Sequence, residues 1–100
     1  MGTLRQEITA LLRENELNAI DISQQLSIQE SEVYDHLRHI SKSLAAKGGT
    51  LRIQPYQCLT CGYAYKDRKR FKRPGRCPRC KGCHIRMATY SIHGVDDRED

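Results

Sequence analysis

The sequence of 100 residues has no tryptophan, one phenylalanine and three prolines, and only 38% of its residues are hydrophobic. So few large apolar side chains cannot fill a deep core along the whole chain, and we expect one part to need a metal or covalent link for stability. No run approaches the ~20 apolar residues of a membrane-spanning helix, and the first residues lack the apolar segment of a signal peptide. The sequence therefore predicts a cytoplasmic protein without a membrane partner.

Positive charge is scarce in the first half of the chain and abundant in the second. Residues 1–50 hold 5 Lys and Arg against 7 Asp and Glu, whereas residues 51–100 hold 12 against 5. Seven of those cations lie between Lys66 and Arg76, with one Asp among them. Because like charges at this density repel one another, a polyanionic partner is predicted for this segment. The alternative is a solvated loop that only keeps the protein soluble.

The first half contains no cysteine and has helical periodicity. One amphipathic helix is predicted from Thr3, as N-cap, to about Asn15, and a shorter one over residues 19–26. Ser27-Ile-Gln-Glu30 has the pattern of a capping box, which predicts the start of a third helix that stops at Gly48-Gly49. The buried face of this third helix is predicted to consist of Val33, Leu37, Ile40 and Leu44.

A strand with alternating Leu51 and Ile53 is predicted to follow the third helix. Three helices and a short strand or wing are the layout of a winged helix-turn-helix, which we predict for residues 1–54. On the exposed face of the third helix, a DNA-binding version would use Ser31, Arg38 and Lys42 in the major groove.

Acidic residues at the start of the third helix keep a second interpretation open. Glu30, Glu32 and Asp35 repel phosphates, so the helical half is alternatively predicted to dock a protein partner. His36 and His39 are spaced to share a metal, but no third ligand is apparent, and surface histidines are the simpler interpretation.

Five cysteines lie in the second half. Two Cys-x-x-Cys pairs separated by fifteen residues have the spacing of a four-cysteine zinc site. Cys83 offers a third pairing, but Gly62 and Gly82 permit the positive-φ turn that directs N–H groups at sulfur. The predicted ligands of one structural zinc are therefore Cys58, Cys61, Cys77 and Cys80. Four cysteines leave no open position on the metal, so no enzyme activity is predicted.

Strand-forming residues around these pairs predict a small antiparallel zinc ribbon over residues 55–95, followed by a frayed acidic tail at 96–100. The whole chain is thus predicted to be α+β. The loop between the pairs is predicted to contact nucleic-acid phosphates. Its candidate residues are Lys66, Arg68, Lys69, Arg70, Lys72, Arg73 and Arg76.

Together these features resemble a prokaryotic family of predicted transcriptional regulators, in which a helix-turn-helix domain is fused to a C-terminal zinc ribbon. The similar segments are Glu32 to Leu44, Cys58 to Gly62 and Cys77 to Cys80. The resemblance implies a zinc-binding regulator that binds double-stranded DNA. A homodimer is also considered, since such regulators often match two-fold DNA sites.

The same cysteine pairs also look like the knuckles of rubredoxin-type iron sites. That resemblance rests on Cys58-x-x-Cys61-Gly62-Tyr63 and Cys77-Pro78-x-Cys80, and it implies an electron carrier. Iron and zinc both accept four thiolates, so the motif alone leaves this alternative open.

Overall fold

The computed structural model describes residues 3–66 and 70–94. Three helices and two antiparallel sheets make up this part of the chain, which confirms the predicted α+β class. In chain order the elements are α1 (Leu4–Glu14), β1 (Leu17–Asn18), α2 (Ala19–Leu26), α3 (Glu30–Ala46), β2 (Thr50–Gln54), β3 (Gln57–Cys58), β4 (Ile85–Arg86) and β5 (Thr89–His93).

Capping boxes begin the first two helices. Thr3 Oγ1 accepts the N–H of Gln6 at 3.1 Å while the Gln6 side chain accepts the N–H of Thr3 at 2.9 Å. Asn18 and Asp21 form the same reciprocal pair at the start of α2, over 2.8 and 3.3 Å. Each pair satisfies two of the backbone N–H groups that a helix start leaves unpaired. The predicted cap at Thr3 is confirmed.

The predicted capping box at Ser27 is wrong. Ser27 ends α2 in the left-handed conformation, with φ 57°, and its N–H donates to Ser23 O. The N-cap of α3 is Gln29, which makes no side-chain capping bond. Ser27 belongs to the tight turn between the two helices, so Glu30 does not cap α3 with it and is available for the contacts described below.

The helical core follows the predicted stripe of α3. Its apolar residues at spacings of four, three and four are buried against α1 and α2 because they share one helix face. Beyond Ala46, the N–H of Gly49 donates to Leu44 O at 2.8 Å, so the predicted glycine stop is also found. The buried residues of the three helices are Ile8, Leu12, Ala19, Ile22, Val33, Leu37, Ile40 and Leu44.

A three-stranded sheet in the order β1-β5-β2 closes this core. Ile53 pairs with Tyr90, and Leu51 pairs with Ile92. Alternate residues of a strand face the same side, so Tyr90 and Ile92 are both buried in the helical core. The central strand of the sheet therefore comes from the end of the described chain.

The cysteine-bearing segment is an insertion between two paired strands. β2 and β5 are neighbours in the sheet, and residues 55–88 leave from one and return to the other. Within the insertion, β3 pairs with β4, and Gln57 also bridges to Ala64. The strand-forming residues after the second cysteine pair form two strands, β4 and β5, which are separated by Met87 and the buried Ala88.

The domain boundary at residue 54 stays a prediction. That boundary assigns β5 to the zinc ribbon, whereas in the structure β5 pairs with β2 in the sheet that covers the helices. The predicted acidic tail at 96–100 lies outside the described residues.

Candidate metal centre and basic surface

Four cysteines converge at one end of the insertion. The sulfur atoms of Cys58, Cys61, Cys77 and Cys80 all lie within 4.8 Å of one another. The Cys58–Cys80 and Cys61–Cys77 sulfur pairs are 3.5 and 3.6 Å apart. A regular tetrahedron with metal–sulfur bonds of about 2.3 Å has edges of about 3.8 Å. The four thiols therefore fit a single tetrahedral metal, and these spacings are too long for disulfides.

The two cysteine turns have the same backbone hydrogen bonds. In the first, the N–H of Gly62 donates to Cys58 O at 2.9 Å, and the N–H of Cys58 donates to Tyr63 O at 2.8 Å. In the second, the backbone N–H of Lys81 donates to Cys77 O at 2.8 Å, and the backbone N–H of Cys77 donates to the carbonyl of residue 82 at 2.9 Å. The two turns are thus equivalent knuckles.

The residue after each knuckle's second cysteine has a positive φ, 82° at Gly62 and 60° at Lys81. The prediction that Gly82 supplies this conformation is wrong, because Lys81 adopts it. Gly82 has a different role: a Cβ there would lie 3.3 Å from the sulfur of Cys80. The absence of a side chain at Gly82 therefore leaves room for the second knuckle's sulfur.

Backbone N–H groups favour the thiolate form of two sulfurs. Those of Arg79 and Cys80 donate to the sulfur of Cys77 over 3.3 and 3.5 Å. Burial raises the pKa of Cys77, but these hydrogen bonds outweigh it and hold the pKa below its usual value. The backbone N–H of Cys61 likewise lowers the pKa of Cys58 to about 6. Thiolates are the metal-binding form of cysteine, so the knuckles prepare these two ligands.

Cys80 is the opposite case. The backbone N–H of Gly82 lowers the pKa of Cys80. The hydrogen bond with the sulfur of Cys58 and burial raise it, and the pKa of Cys80 rises to about 12. Several negative charges within so small a space repel one another. A divalent cation held by the four sulfurs would remove this repulsion, and its binding would release the remaining protons.

The fifth cysteine is outside this group. Cys83 is exposed, and its carbonyl accepts the N–H of Ile85 at 3.1 Å, where the chain enters β4. The structure therefore brings together the four cysteines named from the sequence and leaves Cys83 as a separate thiol.

Several of the predicted phosphate-binding residues line one groove on the insertion. Its volume is about 600 Å³, and Tyr63 and Tyr65 form part of its wall. Lys66 is exposed at a neighbouring cavity, and Arg68 and Lys69 lie outside the described residues. The cations that line the groove, which we call the basic groove, are Arg70, Lys72, Arg73 and Arg76.

Two buried tyrosines fasten the loop that carries these cations. The hydroxyl of Tyr56 donates to Phe71 O at 2.6 Å, and that of Tyr65 donates to Arg76 O at 3.1 Å. The two rings pack edge to face, with centroids 6.4 Å apart. No local pattern in the sequence announces these bonds, because each joins residues eleven or fifteen positions apart.

One end of the basic groove contacts the start of α3. Arg73 Nη2 donates to Glu30 Oε1 at 2.9 Å, and the hydroxyl of Tyr34 donates to the other oxygen of the same carboxylate. Burial raises the pKa of Tyr34, and hydrogen bonds to Glu30 and Tyr56 raise it further, so its hydroxyl stays protonated. The acidic residue predicted to repel phosphates is thus paired with a cation of the loop.

The comparisons with known proteins place this fold in a family. The sequence pattern described as "PF0610-like, N-terminal" matches residues 3–52. The chain belongs to the PF0610-like family. Among solved structures, it is similar to the solution NMR structure of protein PF0610 from Pyrococcus furiosus, with 25% identity and a TM-score of 0.78. That match covers 94% of this chain and 93% of the other. No curated protein matched.

The remaining predicted residues lie on α3. Ser31, Arg38 and Lys42 are all exposed, and Arg38 forms an ion pair of 3.6 Å with Asp35. His36 and His39 do not belong to any three-ligand metal cluster within residues 3–66 and 70–94, where the four cysteines form the one such group.

None of the helices in the described part of the chain is long and apolar enough to cross a membrane.

Proposed function

We propose that this protein is a DNA-binding transcriptional regulator of the winged helix-turn-helix type, stabilised by one structural zinc ion. In this proposal α2 and α3 are the helix-turn-helix, and α3 enters the major groove. The ribbon takes the place of the wing between β2 and β5, and the basic groove contacts the phosphate backbone.

The observation that carries the proposal is the ion pair between Arg73 and Glu30. It places the basic groove against the first turn of α3, beside the exposed stripe of Ser31, Arg38 and Lys42. Successive residues of a helix are separated by about 100° around its axis, so Glu30 lies on the flank of that stripe. A duplex that contacts α3 would therefore have its backbone within reach of the loop.

Charge compensation at the start of α3 also supports the proposal that this helix contacts DNA. The negative charge of Glu30 is balanced by Arg73, and that of Asp35 by Arg38, so two of the three acidic residues at the helix start have cationic partners. Both pairs are solvent-accessible and weak, and a phosphate can compete for either arginine. The acidic helix start is thus compatible with an anionic partner.

Zinc has a scaffolding role in this proposal. Four cysteine ligands complete its tetrahedron, so it offers no position for a substrate, and no catalysis is proposed. The insertion has few buried apolar residues of its own, and metal binding supplies the stability that such a small module lacks.

Iron in the same four thiolates would instead support the electron-carrier function, so metal analysis of purified protein is the first measurement. Colourless protein with one equivalent of zinc is expected; red protein with iron would favour the carrier.

The DNA-binding part is tested by fluorescence anisotropy with a labelled duplex at several salt concentrations. Neutralising two groove cations, Arg70→Gln with Arg76→Gln, should weaken binding and reduce the slope of log affinity against log salt by about 2. The matched control, Arg5→Gln with Arg86→Gln, removes the same charge away from the groove and should retain the wild-type slope. Equal behaviour of the two double variants would refute phosphate contact by the groove.

A second pair of substitutions tests α3. Charge reversal by Arg38→Glu and Lys42→Glu should abolish duplex binding if α3 enters the major groove of the DNA. Binding that survives this reversal but requires the basic groove would support the adaptor function, in which the helical half docks a protein.

A further inference from the structure

A cavity of about 310 Å³ lies where the insertion meets the three-stranded sheet, separate from the metal centre. Four aromatic residues line it: Tyr56, Tyr65, Phe71 and Tyr90. Its volume is at the lower end of the range for small-molecule sites, and apolar walls with a few polar groups are typical of such sites.

The tyrosine hydroxyls beside this cavity already have partners. Those of Tyr56 and Tyr65 donate to the loop carbonyls of Phe71 and Arg76. The polar ends of these side chains therefore hold the loop in place, and their rings, which pack edge to face on each other, line the cavity. Phe71 and Tyr90 pack with centroids 5.9 Å apart and an interplanar angle of 54°. Walls built from tilted rings favour a flat aromatic occupant, because such rings also interact edge to face with it.

The charged residues that line the cavity within residues 3–66 and 70–94 are both cations. Lys66 and Arg70 line it, and no acidic residue is among its described lining residues. Neither cation has an ion-pair partner within residues 3–66 and 70–94. Arginine binds carboxylates with two parallel hydrogen bonds, and a nearby lysine adds a second positive charge. The chemistry of the cavity thus combines an aromatic interior with an anion-binding edge.

We propose that this cavity binds a small aromatic carboxylate, with its ring among the four aromatic residues and its carboxylate on Arg70 and Lys66. The site is distinct from the four cysteines and does not depend on the metal's identity.

Arg70 also lines the basic groove, so the two sites share one cation. An occupant that pairs with Arg70 would withdraw its charge from the groove. If the groove binds DNA as proposed above, the carboxylate would act as an effector that weakens duplex binding. The cavity itself is tested without DNA, so the failure of one proposal is distinguishable from the failure of the other.

The experiment is a titration of the metal-loaded, isotope-labelled protein with 1-naphthoate, followed by amide chemical shifts. Saturable shifts are expected at Phe71, Ala88 and Tyr90. The neutral analogue 1-naphthamide, which has the same ring system, should bind at least tenfold more weakly. Cyclohexanecarboxylate, which keeps the charge without the aromatic ring, should also bind more weakly.

Two variants distinguish the site from general attraction to a basic protein. Arg70→Gln should weaken naphthoate binding about tenfold, whereas Arg86→Gln, which removes an exposed cation of β4, should leave it unchanged. Both positions are exposed, so neither substitution should disturb the core. Naphthoate and naphthamide binding equally, shifts that map away from the cavity, or equal effects of the two variants would each overturn the proposal.

Discussion

The equivalent positions Gly62 and Lys81 should respond in opposite ways to substitution. Both have a positive φ, and a residue with a Cβ pays about 1–2 kcal/mol to adopt it. A Cβ on Gly62 would meet no atom within 4 Å, so Gly62→Ala adds no steric clash to this conformational cost. Alanine loses about 0.5–1 kcal/mol less backbone entropy than glycine on folding, which leaves a net cost of about 0.8 kcal/mol at the midpoints of the two ranges. At about 1.4 kcal/mol per tenfold, the variant should bind the metal roughly fourfold more weakly.

Lys81→Gly removes the same cost from the second knuckle. Glycine loses about 0.5–1 kcal/mol more backbone entropy on folding, so the net gain is about 0.8 kcal/mol at the midpoints of the two ranges, or roughly fourfold tighter binding. Lys81→Ala is the matched control, because it removes the ammonium group and keeps the Cβ. It should bind the metal as the wild type does.

The measurement is competition for zinc between each of the four proteins and a chromophoric chelator at one pH. The expected order of affinity is Lys81→Gly first, then wild type together with Lys81→Ala, then Gly62→Ala. If Gly62→Ala bound zinc as tightly as the wild type, or Lys81→Gly bound it less tightly than Lys81→Ala, the equivalence of the two knuckles would be refuted.

Three further outcomes are expected. Chelation of the metal should collapse the amide dispersion of residues 57–86 while the helical half keeps its own; ribbon signals that persist after confirmed metal loss would contradict the scaffolding role. Tyr56→Phe leaves a loop carbonyl without its donor and should lower the free energy of unfolding by about 1–2 kcal/mol, measured by urea denaturation. Tyr63→Phe is its control and should change little, since no hydrogen bond of that hydroxyl is found in the described part of the chain. Glu30→Gln removes a negative charge beside the basic groove and should tighten duplex binding about threefold, consistent with a surface pair worth under about 1 kcal/mol. Glu7→Gln, on α1, should leave duplex binding unchanged.

Local features of the fold could be predicted from the sequence. The buried stripe of α3 follows from a spacing that any helix converts into one face. The convergence of four sulfurs likewise follows from two Cys-x-x-Cys turns, because each turn presents its own pair of thiols. The helix stripe needs no knowledge of how distant segments meet, and for the cysteines the preference of one metal ion for four thiolates supplies that knowledge.

Features that depend on distant contacts could not be predicted. The error at Ser27 has a local cause instead: this residue has the pattern of an N-cap, but it ends α2 as the left-handed residue of the turn before α3. The pairing of β5 with β2 is set by the helical core, which needs Tyr90 and Ile92 to fill it. The bond from Tyr56 to the loop and the ion pair of Arg73 with Glu30 also join segments far apart in sequence.

The central position of β5 has a consequence for the order in which the protein assembles during translation. All three helices leave the ribosome before the cysteine-bearing insertion, yet Tyr90 and Ile92, which complete their core, are made only after it. The nascent helices therefore wait, with part of their apolar face uncovered, until residues 89–93 have been synthesised. A premature stop before residue 89 would consequently damage the amino-terminal half, although every residue of that half had been made.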